Sequence, residues 1–231
     1  MQGIAIAHRR RLPLAIAAVL LLAALAGAGL ATLRHHPHAA APVASAAVPA
    51  PAHLQWAKPV DASFNLFQMS PTLYRSALPA AQNASTVDGL GVRTVISFIK
   101  DDDHDWAKNP HLQLLSQPMH ADRVTDDEIL QALRSVRAAE AQGPVLMHCK
   151  HGNNRTGIVA ALYRIVLQGW SRQQALDEML QNGFGSEDDM TEAMAYVRHA
   201  DTAAISQALA SGAPCAHNWS MCSVKSHLGM L

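Results

Sequence analysis

Val145-Leu146-Met147-His148-Cys149-Lys150-His151-Gly152-Asn153-Asn154-Arg155-Thr156-Gly157 is the stretch whose reading decides the fold. Val145 to His148 is a short apolar run following Gly143-Pro144, the pattern of a buried strand. From Thr156 to Gln168 the residues read as an amphipathic or fully buried helix. A strand therefore runs in, a short loop turns, and a helix N-terminus points back at the loop. Amides at a helix start have no partner within the helix and carry partial positive charge. Successive inward-facing amides in such a loop form a nest for the oxygens of an anion such as phosphate.

The side chains at this nest suit phosphoryl chemistry. Cys149 stands at its mouth, where a thiol with an ordinary pKa of about 8.5 loses its proton more readily. Five residues separate it from Arg155. The planar Arg155 guanidinium can hold two phosphate oxygens at once, which a lysine cannot. Thr156 is placed to hydrogen-bond the sulfur, Gly152 permits a turn that a Cβ would block, and Gly157 lets the helix approach the sheet closely. Lys150, His151, Gly152, Asn153, Asn154, Arg155 and Thr156 together make the expected substrate-binding loop. Solvated positions for Lys150 and His151 are the plainer alternative, and His148 reads as a hydrogen-bonding brace rather than a base. A lone buried cysteine is commonly just a small apolar residue. Here the arginine spacing, the glycine and the strand-loop-helix context agree on more.

Strand-like and helix-like segments alternate on either side. Phe64 to Met69 and Leu73 to Arg75 read as short strands broken by Ser70-Pro71. Pro79 to Leu90 reads as a helix ending at Gly91, Val92 to Ile99 as a buried strand, and Leu112 to Ser116 as a weaker one. Thr125-Asp126-Asp127-Glu128 is a capping box, followed by Ile129, Leu130, Leu133 and Val136 at helical spacing. Ser171 with Gln174 opens another helix, and Ser186 is expected to open the last. Such alternation predicts an α/β domain with a central, largely parallel sheet flanked by helices.

At the N-terminus, His8-Arg9-Arg10-Arg11 precedes an uncharged run from Leu12 to Leu33. At 1.5 Å per residue that run spans roughly 30 Å, the thickness of a hydrocarbon core. It reads as a transmembrane anchor, or as a signal segment with Ala26-Gly27-Ala28 at the cleavage site. Either way the basic cluster stays inside and the rest is exported, to the periplasmic side of a bacterial inner membrane. The expected division is residues 1–33 anchor or signal, 34–53 an Ala/Pro/His linker, 54–205 the catalytic domain, and 206–231 a C-terminal tail. His35, His36 and His38 lack a Cys or carboxylate partner and read as a polar tract rather than a metal site.

The 231 residues are 49% apolar and 16% charged with zero formal net charge, so no global field recruits nucleic acid. Trp56, Trp106, Trp170 and Trp219 accompany no basic stripe and read as packing residues. Three cysteines are too few for a disulfide scaffold. Cys215 and Cys222 in the tail are either unpaired or, in an oxidising compartment, bridged.

His148-Cys149, five residues, then Arg155-Thr156-Gly157 resembles the signature of the protein tyrosine phosphatase superfamily. Leu73-Tyr74-Arg75-Ser76-Ala77-Leu78-Pro79, Leu90 to Ile96, Tyr163-Arg164-Ile165, Gly169-Trp170-Ser171, Ala175 and Glu178-Met179 narrow the likeness to bacterial dual-specificity-like phosphatases of the atypical kind, over roughly residues 56 to 200. Asn154 departs from the pattern, since many relatives carry Asp there; an amide can still brace the loop. The resemblance implies a cofactor-free, metal-free reaction. The Cys149 thiolate attacks phosphorus, an acid protonates the leaving oxygen, and water hydrolyses the phosphocysteine. Relatives place that acid some 25 to 35 residues before the cysteine, and Asp122 is the first choice here. Asp126 and Asp127 read as helix-start residues. Asp101, Asp102, Asp103 and Asp105 read as a solvated loop. The implied substrate is a phosphorylated protein, of phosphotyrosine or dual-specificity type, or a small phosphorylated molecule such as an inositol phosphate. A non-catalytic phospho-ligand module and a rhodanese-like sulfurtransferase are the other readings of a cysteine in an anion nest.

Overall fold

The computed structural model describes residues 55–230, and the apolar run at 12–33 and the whole linker at 34–53 lie outside them. Six strands form one sheet: β1 Lys58–Asp61, β2 Leu66–Ser70, β3 Leu73–Ala77, β4 Thr94–Ser97, β5 Gln113–Ser116 and β6 Val145–Cys149, in the order β1-β2-β3-β6-β4-β5. β3, β6, β4 and β5 run parallel, whereas β1, β2 and β3 pair antiparallel. The sheet is thus mixed, not largely parallel. The cause is local: only Pro71 and Thr72 separate β2 from β3, and two residues can make a hairpin but never a crossover.

Seven α-helices complete the domain: α1 Ala84–Gly89, α2 Asp126–Glu140, α3 Arg155–Gln168, α4 Arg172–Gln181, α5 Glu187–His199, α6 Thr202–Ser211 and α7 Met221–His227. Strand alternation divides them. Tyr74, Val95 and Leu146 face a smaller core with Val87 of α1, Phe64 and Trp106. Leu73, Ile96, Val145 and Met147 face the larger core made with α2 to α6. Every residue of α3 from Thr156 to Arg164 is buried, so the helix is enclosed nearly all round. The capping boxes at Thr125/Glu128 and Ser171/Gln174 form as the spacing requires.

Several expectations change. The segment from Pro79 is a 3₁₀ turn, Ala81–Asn83, leading into a short α1. Ser186 opens α5 but not the last helix, and α6 runs through the boundary placed at residue 205 because Ile205, Ala208 and Leu209 pack into the core. Trp106 and Trp170 pack inside, whereas Trp219 is fully exposed. Cys215 and Cys222 are joined by a disulfide. Among the described residues, no helix is long and apolar enough to cross a membrane.

Candidate active site

The site forms where β6 ends and α3 begins. Cys149, 1% exposed and the one free cysteine among the described residues, pairs in register with Ala77 of β3. The chain then bends sharply at Gly152, with φ of +79°. A Cβ there would stand 2.6 Å from the amide nitrogen of Ala77 and from the carbonyl carbon of Ser76. Backbone cannot yield, so glycine is required. Gly157 is different: its added Cβ would meet Met179 of α4 at an ordinary 3.4 Å, so its small size is not what draws α3 onto the sheet.

The loop is held from beneath by side chains. The Arg75 guanidinium donates to the Gly152 carbonyl at 2.6 Å and stacks 3.6 Å over the Phe184 ring. Burial pushes the Arg75 pKa down to about 10, against which the Glu178 carboxylate and the Cys149 thiolate favour its charged form. Asn65, in a left-handed conformation, donates from Nδ2 to the carbonyls of His151 at 2.9 Å and Phe184 at 2.8 Å. Asn153 Oδ1 accepts from the Asn154 amide. The loop carrying Phe184 and Gly185 buttresses the signature from behind.

His148 is the brace its position suggested. It is fully buried, and its Nε2 lies 3.0 Å from the carboxylate of Asp103, which is itself 5% exposed and accepts from Trp106 Nε1 at 2.9 Å. Nδ1 has no partner among the described residues, so Nε2 is the ring nitrogen that donates to Asp103. Asp103 therefore leaves the solvated loop assigned from sequence. The signal for it was Trp106, three residues on, which pulls the 3₁₀ turn Asp103–Asp105 inward.

Above the loop lies a cavity of about 350 Å³. Its walls are residues 99–101 after β4, residues 118–121 after β5, and Lys150 and Arg155 of the signature. Arg155 is the first residue of α3, one position before the start read from the sequence. Asp122 is exposed, one residue beyond the lining, while Asp101 lines the cavity itself. The Thr156 hydroxyl does not bond the sulfur; it is buried with no protein partner. Arg155 Nε and Asn154 Oδ1 share that condition, so unpaired polar atoms converge around the first turn of α3. Buried polar atoms are nearly always paired, and orphaned donors beside free helix amides fit an oxyanion ligand.

Comparison with known proteins agrees with this geometry. Residues 62–212 match the model of the tyrosine phosphatase family. The chain is 52% identical over 206 residues to the dual specificity protein phosphatase TpbA of Pseudomonas aeruginosa strain UCBPP-PA14, covering 89% of this chain and 91% of that one. It superposes with a TM-score of 0.66 and 59% identity on a crystal structure of a P. aeruginosa TpbA cysteine-to-serine variant in complex with pTyr, covering 68% of this chain and 97% of that one. The core catalytic domain of the PP-IP phosphatase SIW14 from S. cerevisiae shares the fold at 21% identity and a TM-score of 0.56, over 69% and 97% of the two chains. A cysteine and an arginine framing an anion nest, in a fold shared over most of its length with dual-specificity enzymes, make this chain a phosphoric monoester hydrolase that belongs to the tyrosine phosphatase family.

Proposed function

We propose that the chain hydrolyses phosphotyrosine, and related phosphomonoesters, through a phosphocysteine intermediate. The Cys149 thiolate attacks phosphorus as the P–O bond to the leaving group breaks. Arg155 and the first-turn amides of α3 take up the charge on the transferring oxygens. Asp122 delivers a proton to the leaving oxygen and then, as carboxylate, takes one from the water that cleaves the S–P bond. The observation that carries this reading is the group of buried, unpartnered polar atoms, Arg155 Nε and Thr156 Oγ1 foremost, around the start of α3. The likeness to a relative in complex with pTyr supports phosphotyrosine as substrate. Asp122 is favoured as acid because it is exposed on the short loop forming one wall of the cavity, with no side-chain partner to occupy it.

A second substrate reading has its own observation. Lys100, Lys150 and Arg155 line the cavity, three cations against the single carboxylate of Asp101, a balance that would also suit an inositol phosphate. Export stays part of the proposal. It is supported by the basic cluster before the apolar run and by the Cys215–Cys222 disulfide, a bond that persists in oxidising compartments.

The test is hydrolysis of an aryl phosphate by the full chain with EDTA and a thiol reductant present. Activity that survives chelation and disappears in Cys149→Ser supports the reading. An inactive wild type that still binds vanadate would make the site a phospho-ligand module, and one that binds no oxyanion would bring sulfur transfer forward.

A further inference from the structure

Beside the cavity runs a larger groove of about 1020 Å³ that the chemistry just described does not use. Its walls are the loop after β5, the first turns of α2, and the tail from Pro214 to Lys225 that the disulfide closes. Pro118, Met119 and His120 belong to both spaces, so the groove opens directly onto the phosphate site.

Most charged groups along the groove are engaged by the chain itself. Asp126 accepts from the Tyr196 hydroxyl at 2.6 Å and faces His217 Nε2 at 2.8 Å. Asp127 accepts from the Ala216 amide, and Glu128 closes the capping box with Thr125. Arg134 donates to the carbonyls of Ala208, Ala213 and Pro214. What is left facing outward is Met221, with Arg123 and Lys225 in no ion pair among the described residues, while Met119 forms the floor, 6% exposed and packed into the larger core. The large apolar side chains exposed among the described residues, Val60 apart, all lie between Trp219 and Met230, and Met221 is 72% exposed. Such concentration on one segment marks an interaction surface.

We infer that this groove receives the polypeptide flanking a phosphorylated residue, seating apolar side chains of a phosphoprotein against Met221. This rests on the phosphatase reading and deepens it. A phosphorylated side chain in the cavity brings its own backbone to the cavity mouth, and the groove is continuous with that mouth through Pro118, Met119 and His120. A free inositol phosphate would leave the groove unused.

The experiment measures kcat/KM of the full chain on three substrates: p-nitrophenyl phosphate, a phosphotyrosyl hexapeptide with leucine and phenylalanine flanks, and one with glycine and serine flanks. Met221→Glu changes the groove; Val60→Glu places the same charge on β1, outside both the groove and the tail. The expected result is a preference of about tenfold for the apolar peptide, carried by KM, abolished in Met221→Glu and retained in Val60→Glu, with p-nitrophenyl phosphate turnover unchanged throughout. Equal rates on the two peptides, or a preference that survives Met221→Glu, overturns the inference. A dimer in sedimentation that Met221→Glu dissociates would give the groove to a second copy of the chain, which also overturns it. Failure of the wild type on p-nitrophenyl phosphate as well would instead sink the phosphatase reading.

Discussion

At the scale of single residues, the site separates groups that react from groups that hold them. Asp101 lines the cavity and Asp122 stands one residue beyond its lining, and substitution tells them apart. Asp122→Asn is expected to lower kcat by about 10²-fold or more and to remove the acid's limb from the pH–rate profile, as loss of a positioned general acid does. Asp101→Asn should leave that limb in place. The reverse result would transfer the role to Asp101. Asp103 acts through His148 and Trp106, so its variants should differ from these. Asp103→Ala leaves two buried donors unpaired, a cost of about 1–3 kcal/mol for each, while Asp103→Asn keeps an acceptor. Alanine should therefore lower both the urea midpoint and kcat, with asparagine restoring most of each. An equal loss in both variants would mean that the charge of Asp103, rather than its hydrogen bonds, is what the site needs.

At the scale of elements, two joints fasten helices to their neighbours. Arg164 of α3 and Glu178 of α4 form a two-pronged ion pair at 2.7 and 2.9 Å, both nearly fully buried, with Trp170 stacked against the guanidinium and the Ala57 amide on the carboxylate. Glu178→Ala strands the Arg164 charge in the core and should destabilise the domain by about 3–5 kcal/mol in chemical denaturation. A change under 1 kcal/mol would show that the site relaxes around the lone arginine. The other joint is the tail on α2. The hydrogen bond to Asp126 raises the His217 pKa above its ordinary 6.5, helped by the nearby Asp201 and Asp127 charges and opposed by partial burial. A raised histidine pKa stabilises the folded state fully below the unfolded value. That contribution fades as pH climbs through the folded value. Hydrogen exchange at the Ala216 amide, corrected for its intrinsic pH dependence, should accelerate as pH rises above about 6.5. His217→Gln should show no such step.

At the scale of the whole molecule, some parts of the fold and site were legible in the residues and some were not. Local signals carried well. The strand-loop-helix at Cys149 and the capping boxes at Thr125 and Ser171 depend on neighbours in sequence, whereas the clash that requires glycine at position 152 comes from Ser76 and Ala77 of the distant β3. The antiparallel β1–β2–β3 edge was hidden because short strands carry no mark of direction beyond the tight turn at Pro71-Thr72. Asp103 was misread because four acids close together look solvated until one is drawn inward by a partner 45 positions away. Helix α6 was cut at residue 205 because its alanine-rich sequence shows little contrast between faces, although Ile205 and Leu209 dock it firmly. The groove beside the site joins a loop after β5 to a tail almost a hundred residues later, and no linear pattern announces that.

All of this converges on one chemical claim, that phosphoryl transfer passes through the sulfur of Cys149. The direct measurement is acid quench of wild type during turnover of an aryl phosphate, followed by mass spectrometry of the peptide carrying Cys149. A phosphoryl group on that cysteine in the pre-steady state, lost on further turnover and absent from Cys149→Ser, is the predicted result. Turnover with no phosphorylated Cys149 at any quench time, together with residual hydrolysis in Cys149→Ser, would contradict the account and point to direct attack by water.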